Sequence, residues 1–244
     1  MSRTVYVNGH YVPEDQATVS VFDRGFLFAD AVYEVTSVLD GKLIDFDGHG
    51  RRLGRSLAEL EMDPPEGDLL EIHRELVVRN EITEGLVYLQ VTRGVADRDF
   101  AYPKDTPSTL VMFTQKKGLI DSPAAKVGIK VLAIDDLRWG RRDIKTVQLL
   151  YPSMGKMMAK AAGCDDAWMV EDGAVTEGTS NNAYIVKVAR SSLGICRMTF
   201  CMASPVPRCC ALPVKRKWKW KSAPSQWPRR RMQMRPFLHR LRPL

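Results

Sequence analysis

Apolar and polar residues alternate near the N-terminus around two tight-turn dipeptides. Residues 5–12 alternate about Asn8-Gly9, and residues 35–44 alternate about Asp40-Gly41. Such alternation about Asn-Gly or Asp-Gly is typical of a β-hairpin with a two-residue turn, so both segments are predicted to form hairpins. Apolar runs further along the chain predict strands over residues 86–92, 109–114 and 128–134.

Apolar residues three or four positions apart predict helices between these strands. One helix is predicted after Asp47, which would cap it, and a second is predicted to open at Pro65. A third helix is predicted from Pro152 to Ala162, where Gly163 would end it. A further strand is predicted over residues 167–170. Helices and strands in this order predict an α+β protein with two lobes.

Two changes of composition predict the domain boundaries. Residues 115–125 are polar and contain Gly118 and Pro123, which is typical of a linker. The 14 Lys and Arg residues from Val188 onward are accompanied by no Asp or Glu. The whole chain has 36 bases and 29 acids, so residues 1–187 keep 22 bases against 29 acids, a net charge of −7. We therefore predict domains at 1–118 and 119–187, and a basic tail at 188–244.

Composition also excludes several classes of protein. The 244 residues are 45% hydrophobic and 27% charged, and no apolar run approaches 18 residues, so we expect a globular fold without a membrane span. The N-terminal residues lack the pattern of a secretory signal, which predicts a cytoplasmic location. The four His residues are scattered and residues 1–187 contain a single Cys, so no metal site is expected. On spacing alone, Lys145 is interpreted as a solvated lysine and Glu177 as a loop carboxylate.

Four segments change this interpretation when they are taken together and in order. They are Phe-Asp-Arg-Gly at 22–25, Ala-Val-Tyr-Glu at 31–34, Asp-Ile-Lys at 143–145 and Glu-Gly-Thr-Ser-Asn-Asn at 177–182. This set resembles the class IV pyridoxal-phosphate aminotransferases, a family that contains D-amino acid transaminase, branched-chain aminotransferase and aminodeoxychorismate lyase. The resemblance implies fold type IV, with a small N-terminal domain and a larger C-terminal domain. It also implies pyridoxal 5'-phosphate as cofactor, amino acid and 2-oxo acid substrates, and a homodimer.

The resemblance implies specific roles for three side chains. Lys145 would attach to the cofactor aldehyde and, once released, move a proton between the substrate Cα and the cofactor. Glu177 would face the pyridine nitrogen and keep it protonated, so that the ring can accept electrons. Residues 49–53, His-Gly-Arg-Arg-Leu, are similar to the family's His-x-x-Arg-Leu, so Arg52 would bind the cofactor phosphate in a bidentate manner. The alternative is that Arg52 and its neighbouring arginines form a solvated basic helix face.

Substrate choice is predicted by Tyr33 and by residues 92–100. Both resemble the D-amino acid transaminase pattern, in which an Arg and a His two residues later bind the substrate carboxylate. Arg98 matches the Arg, but Phe100 stands where the His would be. Phe100 would instead line an apolar side-chain pocket, as branched-chain substrates require. A D-amino acid such as D-alanine and a branched-chain amino acid therefore both remain open as substrates, with the lyase reaction as a third alternative.

The resemblance ends near Val188, and two interpretations of the tail follow. Basic and aromatic residues are interleaved, as at residues 218–221, which is typical of a nucleic-acid-binding arm and would fit an inactive body. The genetic code offers an alternative that we prefer. Read one base out of frame, the codons from Met198 permit Asp-Ile-Leu-His-Gly-Ile-Thr-Arg and those from Pro236 permit Phe-Leu-Thr-Ser-Ala-Ser-Ala, which resemble the family's two phosphate-binding turns. We therefore expect a frameshift near residues 187–192, a disordered tail, a truncated C-terminal domain and an impaired transaminase.

Overall fold

Six antiparallel strands form the larger of two β-sheets in the computed structural model, which describes residues 2–121 and 123–183. The strands are β1 (Thr4–Val7), β2 (His10–Pro13), β3 (Ala31–Leu39), β4 (Lys42–Leu43), β5 (Glu84–Thr92) and β6 (Thr109–Lys116). Their order across the sheet is β2-β1-β6-β5-β3-β4. Strand β3 pairs with β5 along its whole length, from Ala31 opposite Thr92 to Leu39 opposite Glu84.

Both predicted hairpins are confirmed, including the conformation of their turns. Asn8 and Gly9 have φ angles of 44° and 92°, and Asp40 and Gly41 have φ angles of 51° and 70°. Positive φ at both turn residues gives the strand twist that a two-residue hairpin needs. The second hairpin is short, because β4 has only two residues, which pair with Val38 and Leu39 at the end of β3.

Two helices cover one face of this sheet and enclose the main hydrophobic core. They are α2 (Phe46–Glu59) and α3 (Leu69–Arg79), and the short helix α1 (Arg24–Phe28) precedes β3. The predicted capping role of Asp47 is wrong, because Asp47 lies in the first turn of α2. Helix α3 begins at Leu69 rather than at Pro65, because the Asp68 side chain accepts hydrogen bonds from the backbone N–H groups of Leu70 and Glu71.

A second sheet of three strands follows from residue 131. Its elements are α4 (Pro123–Val127), β7 (Val131–Asp135), α5 (Leu150–Ala161), β8 (Asp166–Glu171) and β9 (Ala174–Gly178). Strand β8 lies between β7, which is parallel to it, and β9, which is antiparallel. Helix α5 packs closely on this sheet at Gly155, where a Cβ atom would lie 2.7 Å from Ile134 Cδ1. The third predicted helix is confirmed to within two residues, whereas α4 occupies part of the segment that was predicted to be a linker.

The described elements confirm the α+β class. The domain boundaries after residues 118 and 187 stay predictions, and the basic tail lies outside the described residues. Within the part of the chain that the structure describes, no helix has both the length and the apolar composition needed to cross a membrane.

Candidate active site

The backbone around Lys145 lies along the edge of β3 that β5 leaves open. The backbone N–H of Tyr33 donates to the carbonyl oxygen of Lys145 at 3.0 Å, and that of Val147 donates to Ala31 at 3.2 Å. The N–H of Lys145 itself donates to Ser56 Oγ on α2 at 3.2 Å. Strand and helix together therefore fix the position from which the Lys145 side chain extends.

The amine of Lys145 faces an aromatic side chain rather than a carboxylate. Its Nζ lies 3.2 Å from the Tyr33 hydroxyl and 4.3 Å from the centre of the Tyr33 ring. Tyr33 in turn stacks on Tyr88, with the ring centres 5.8 Å apart. No carboxylate of the described residues lies within 4.0 Å of this amine. Such an amine is available for covalent chemistry, whereas the amine of Lys156 is held by Asp166 at 3.3 Å.

Glu34 binds Arg52 on the opposite, helix-covered face of β3. Its carboxylate accepts from Arg52 Nε and Nη2, both at 2.6 Å, and lies 2.7 Å from His49 Nδ1. Burial acts to raise the pKa of Glu34, but the hydrogen bonds from Arg52 and His49 outweigh it and hold the pKa below its usual value. Arg52 is therefore partly buried against a carboxylate and is not a solvated arginine, whereas its neighbour Arg51 is exposed.

This pairing leaves one end of the Arg52 guanidinium available. The Nε and Nη2 atoms are used by Glu34, and Nη1 has no acceptor among residues 2–121 and 123–183. The bidentate partner of Arg52 is thus Glu34, and an additional anion would be bound through Nη1. Sequence reasoning missed Glu34 as the partner, because the ion pair joins β3 to α2 across 18 positions of the chain.

Glu177 lies on β9 and forms an ion pair with Arg138. Arg138 also donates to the Asp136 carboxylate, from Nε at 2.9 Å and from Nη2 at 2.7 Å. Arg142 Nη1 and Thr176 Oγ1 donate to the same carboxylate, each at 2.7 Å. Burial acts to raise the pKa of Asp136, but these hydrogen bonds, led by that from Arg138, hold the pKa well below its usual range.

Asp136 and Lys145 lie on one segment that joins the two sheets. Residues 136–147 begin at the Asp136 network beside β9 and end along the edge of β3. In the middle of the segment, Arg141 donates to Glu59 on α2 at 2.6 Å. The described contacts do not join Glu177 to Lys145 directly, so this segment is their connection. The sequence signal for this segment is a group of three arginines among acidic residues at positions 135–143.

Arg98 and Phe100 lie together on the loop after β5. The Arg98 guanidinium carbon is 5.5 Å from the centre of the Phe28 ring and 5.7 Å from that of Phe100, and Phe100 is 80% exposed. Arg24, which is buried, donates to the carbonyl oxygen of Asp99 at 2.7 Å and holds the loop. No described contact brings Arg98 or Phe100 to Lys145, so their roles in substrate binding stay predictions.

Comparison with known proteins identifies the family. Residues 31–198 match the family model described as amino-transferase class IV. The chain belongs to the class IV aminotransferase family. A D-alanine aminotransferase from Bacillus licheniformis is 38% identical over 187 residues, which cover 75% of this chain and 65% of that protein. A D-alanine aminotransferase from Staphylococcus haemolyticus is 35% identical, with coverage of 75% and 66%. This class IV chain therefore spans slightly less than two thirds of the length of these curated relatives.

Solved structures confirm the fold of this class IV aminotransferase chain. The branched-chain amino acid aminotransferase of Escherichia coli superposes with a TM-score of 0.68 and 17% identity, over 77% of this chain and 66% of that one. A branched-chain aminotransferase from the thermophilic archaeon Thermoproteus uzoniensis, with norvaline, gives 0.64 at 22% identity, over 77% and 66%. A putative 4-amino-4-deoxychorismate lyase from Legionella pneumophila gives 0.62 at 23% identity, over 71% and 65%. The prediction of fold type IV is confirmed.

Proposed function

We propose that this chain is a pyridoxal-phosphate-dependent transaminase that moves an amino group between an amino acid and a 2-oxo acid. The main support is the amine of Lys145, which has no carboxylate partner among the described residues and lies 3.2 Å from the Tyr33 hydroxyl. A lysine held by two elements, with its amine against a phenol, is suited to a nucleophile and proton carrier. Membership of the class IV family supports the same reaction.

The residues present fit this cofactor. When bound, pyridoxal 5'-phosphate supplies an aldehyde for attachment and a ring that accepts electrons. Lys145 would provide the amine for attachment and would then move a proton at its Nζ atom. Arg52 would hold the phosphate through Nη1 while Glu34 fixes its orientation. Glu177, held by Arg138, would place a carboxylate against the pyridine nitrogen.

We propose a D-amino acid such as D-alanine as the amino donor. The support is that the curated relatives at 38% and 35% identity are D-alanine aminotransferases, and that Arg98 is an exposed guanidinium with no carboxylate partner among the described residues. The alternative, a branched-chain amino acid, is favoured by Phe100, whose apolar ring contacts Phe28 at 5.6 Å between ring centres.

A homodimer is also part of this proposal. Phe22, Phe26 and Phe100 are 54%, 71% and 80% exposed, and they lie on or next to α1 and the adjoining loop. The loop is joined to the start of α1 by a hydrogen bond from Ala96 N–H to the Phe22 carbonyl oxygen at 3.2 Å. Clustered exposed aromatic residues are typical of a surface that a second subunit covers.

The cytoplasmic location stays a prediction. The frameshift and the impaired activity that would follow from it also stay predictions, because the residues involved in the frameshift lie outside the described part of the chain.

Borohydride reduction tests the proposed chemistry directly. The full chain would be incubated with pyridoxal 5'-phosphate, reduced and digested, and the modified peptide identified by mass spectrometry. We expect the cofactor on Lys145 and no modification of this peptide in Lys145→Ala, while Lys160→Ala, at an exposed lysine of α5, is labelled like the wild type. Absence of label from Lys145 would contradict the proposal. Amino transfer from D-alanine, compared with transfer from L-leucine, then separates the two substrate classes.

A further inference from the structure

The carboxylate of Asp166 lies at the start of β8 and is almost completely buried. The side chain is only 4% exposed. A carboxylate is rarely buried to this extent unless hydrogen-bond donors or positive charges surround it. Asp166 is separate from the ion-pair networks of Glu34 and of Asp136, and its partners are other residues.

Four groups of the described residues surround this carboxylate. The backbone N–H of Ala167 donates to Oδ1 at 2.8 Å, and Asn181 Nδ2 donates to Oδ2 at 2.6 Å. The Thr179 hydroxyl also donates to Oδ1, and Lys156 Nζ on α5 lies 3.3 Å from the same oxygen. Burial acts to raise the pKa of Asp166, but the hydrogen bonds, led by that from Thr179, hold the pKa below its usual value.

Two of these groups belong to a tight turn that follows β9, which we call the 178–181 turn. The backbone N–H of Gly178 donates to the carbonyl oxygen of Asn181 at 2.8 Å and closes this turn. Gly178 is buried, and the Asn181 side chain occupies the space that a Cβ atom at residue 178 would need. Through Thr179 and Asn181, the Asp166 carboxylate therefore joins the 178–181 turn to the start of β8.

Glu177 directly precedes this turn, and β9 has a bulge directly before Glu177. Glu177 and Gly178 pair with β8, but the ladder shifts ahead of them, with Thr176 as the extra residue. A bulge interrupts the ladder locally, so these two residues are separated from the regular part of β9. Arg138 holds the carboxylate of Glu177, whereas the position of its backbone depends on the turn that follows.

We propose that Asp166 is a positioning residue for Glu177: it fixes the 178–181 turn and, through that turn, the backbone from which the Glu177 carboxylate extends. Lys156 contributes by holding the same carboxylate to α5. The inference rests on the proposed function for what Glu177 does, which is to face the pyridine nitrogen of the cofactor. The anchoring of the turn itself requires neither cofactor nor substrate.

Hydrogen exchange at the Gly178 amide tests the anchor in the full chain without cofactor. Thr179→Val keeps the shape of threonine and removes the hydroxyl. We expect the exchange rate of this amide, measured by NMR, to rise about tenfold, because a hydrogen bond to a charged group is lost and the turn opens more often. Thr179→Ser keeps a hydroxyl and should exchange like the wild type. An unchanged rate in Thr179→Val would overturn the proposal.

Asp166→Asn should increase the exchange of the Gly178 amide at least as much. Asp165→Asn is the matched control, since Asp165 is the exposed neighbouring carboxylate and its described partner is the Lys130 backbone N–H, at 2.7 Å. This control should leave the Gly178 amide unchanged. Equal acceleration of the amides between β3 and β5 would show a general loss of stability and would overturn the proposal. If Asp166→Asn does not fold, the two Thr179 variants decide the outcome.

The dissociation constant of pyridoxal 5'-phosphate, measured by absorbance, tests the link to Glu177. We expect Thr179→Val and Glu177→Gln each to raise it about fivefold, because a charged contact to the ring is displaced or removed. In the Glu177→Gln background, Thr179→Val should have no further effect, since the carboxylate that the turn positions is already absent. Additive effects would overturn the positioning role.

The same titration separates this inference from the proposed function. A wild-type chain that binds no pyridoxal 5'-phosphate would contradict the proposed function and, with it, the role of Asp166 towards Glu177. Binding in the wild type that Thr179→Val leaves unchanged would overturn only the role of Asp166.

Discussion

The hydroxyl of Tyr33 forms no covalent bond in the proposed reaction, but it is hydrogen-bonded to the amine of Lys145. Tyr33→Phe removes this bond and keeps the ring that stacks on Tyr88. We expect kcat to fall about tenfold with little change in KM, because one hydrogen bond to an amine contributes about 1–1.5 kcal/mol. Tyr88→Phe is the control, since its hydroxyl bonds to Gln90 and not to the lysine. Equal losses in the two variants, measured by steady-state kinetics, would contradict an orienting role for the Tyr33 hydroxyl.

The individual residues of the site also show how much of it a single sequence can predict. Lys145, Glu177 and Arg52 were proposed through resemblance, since nothing in their spacing separates them from ordinary surface charges. Glu34, the ionic partner of Arg52, and Arg138, the ionic partner of Glu177, come from other parts of the fold. Ion pairs between distant positions are a property of the folded chain, so no local pattern predicted them.

At the scale of an element, residues 136–147 depend on the buried carboxylate of Asp136. Asp136→Asn removes the charge that holds Arg138 and Arg142, and the loss of one partner from a buried ionic network costs about 3 kcal/mol. We expect the free energy of unfolding to fall by about that amount, measured in urea. Asp135→Asn changes the exposed neighbouring carboxylate and should have no measurable effect. A similar stability for both variants would show that the network does not hold the segment.

The protonation of His73 on helix α3 should make the free energy of unfolding depend on pH. Burial lowers the pKa of this group to about 4 from 6.5, so between these values the unfolded chain binds a proton that the folded chain does not. Stability therefore rises with pH across this window, and it is lost as the pH falls from 6.5 towards 4, by up to about 3 kcal/mol. His73→Phe should remove most of the slope between pH 6.5 and 5. An unchanged slope would mean that another group titrates there.

The predicted helices and strands agree with the structure where the contacts that determine them are local. Asn8-Gly9 and Asp40-Gly41 specify their turns through positive φ, and the structure has both. The partner of β3 was not predicted, because its pairing with β5 joins residues about 50 positions apart. The start of α3 was misplaced because Pro65 and Asp68 are both acceptable starting signals, and the side chain of Asp68 caps the helix.

At the scale of the whole molecule, the exposed aromatic residues around α1 should control association. Replacing Phe22 and Phe26 together with serine removes exposed apolar surface without disturbing the core. We expect the dissociation constant of the homodimer to rise at least tenfold in sedimentation equilibrium. Val78→Ser, at a 70% exposed apolar residue of α3, is the control and should associate like the wild type. A wild-type chain that is monomeric at all concentrations would contradict the proposed dimer.

The pairing of residues 145–147 with β3 has a consequence for solubility. Strand β3 would otherwise present unpaired backbone groups at Ala31–Tyr33, and an open strand edge is a template for aggregation. The backbone bonds that place Lys145 also cover this edge. Substitutions that loosen the lysine segment should therefore first be seen as insoluble protein during expression, before any loss of turnover can be measured.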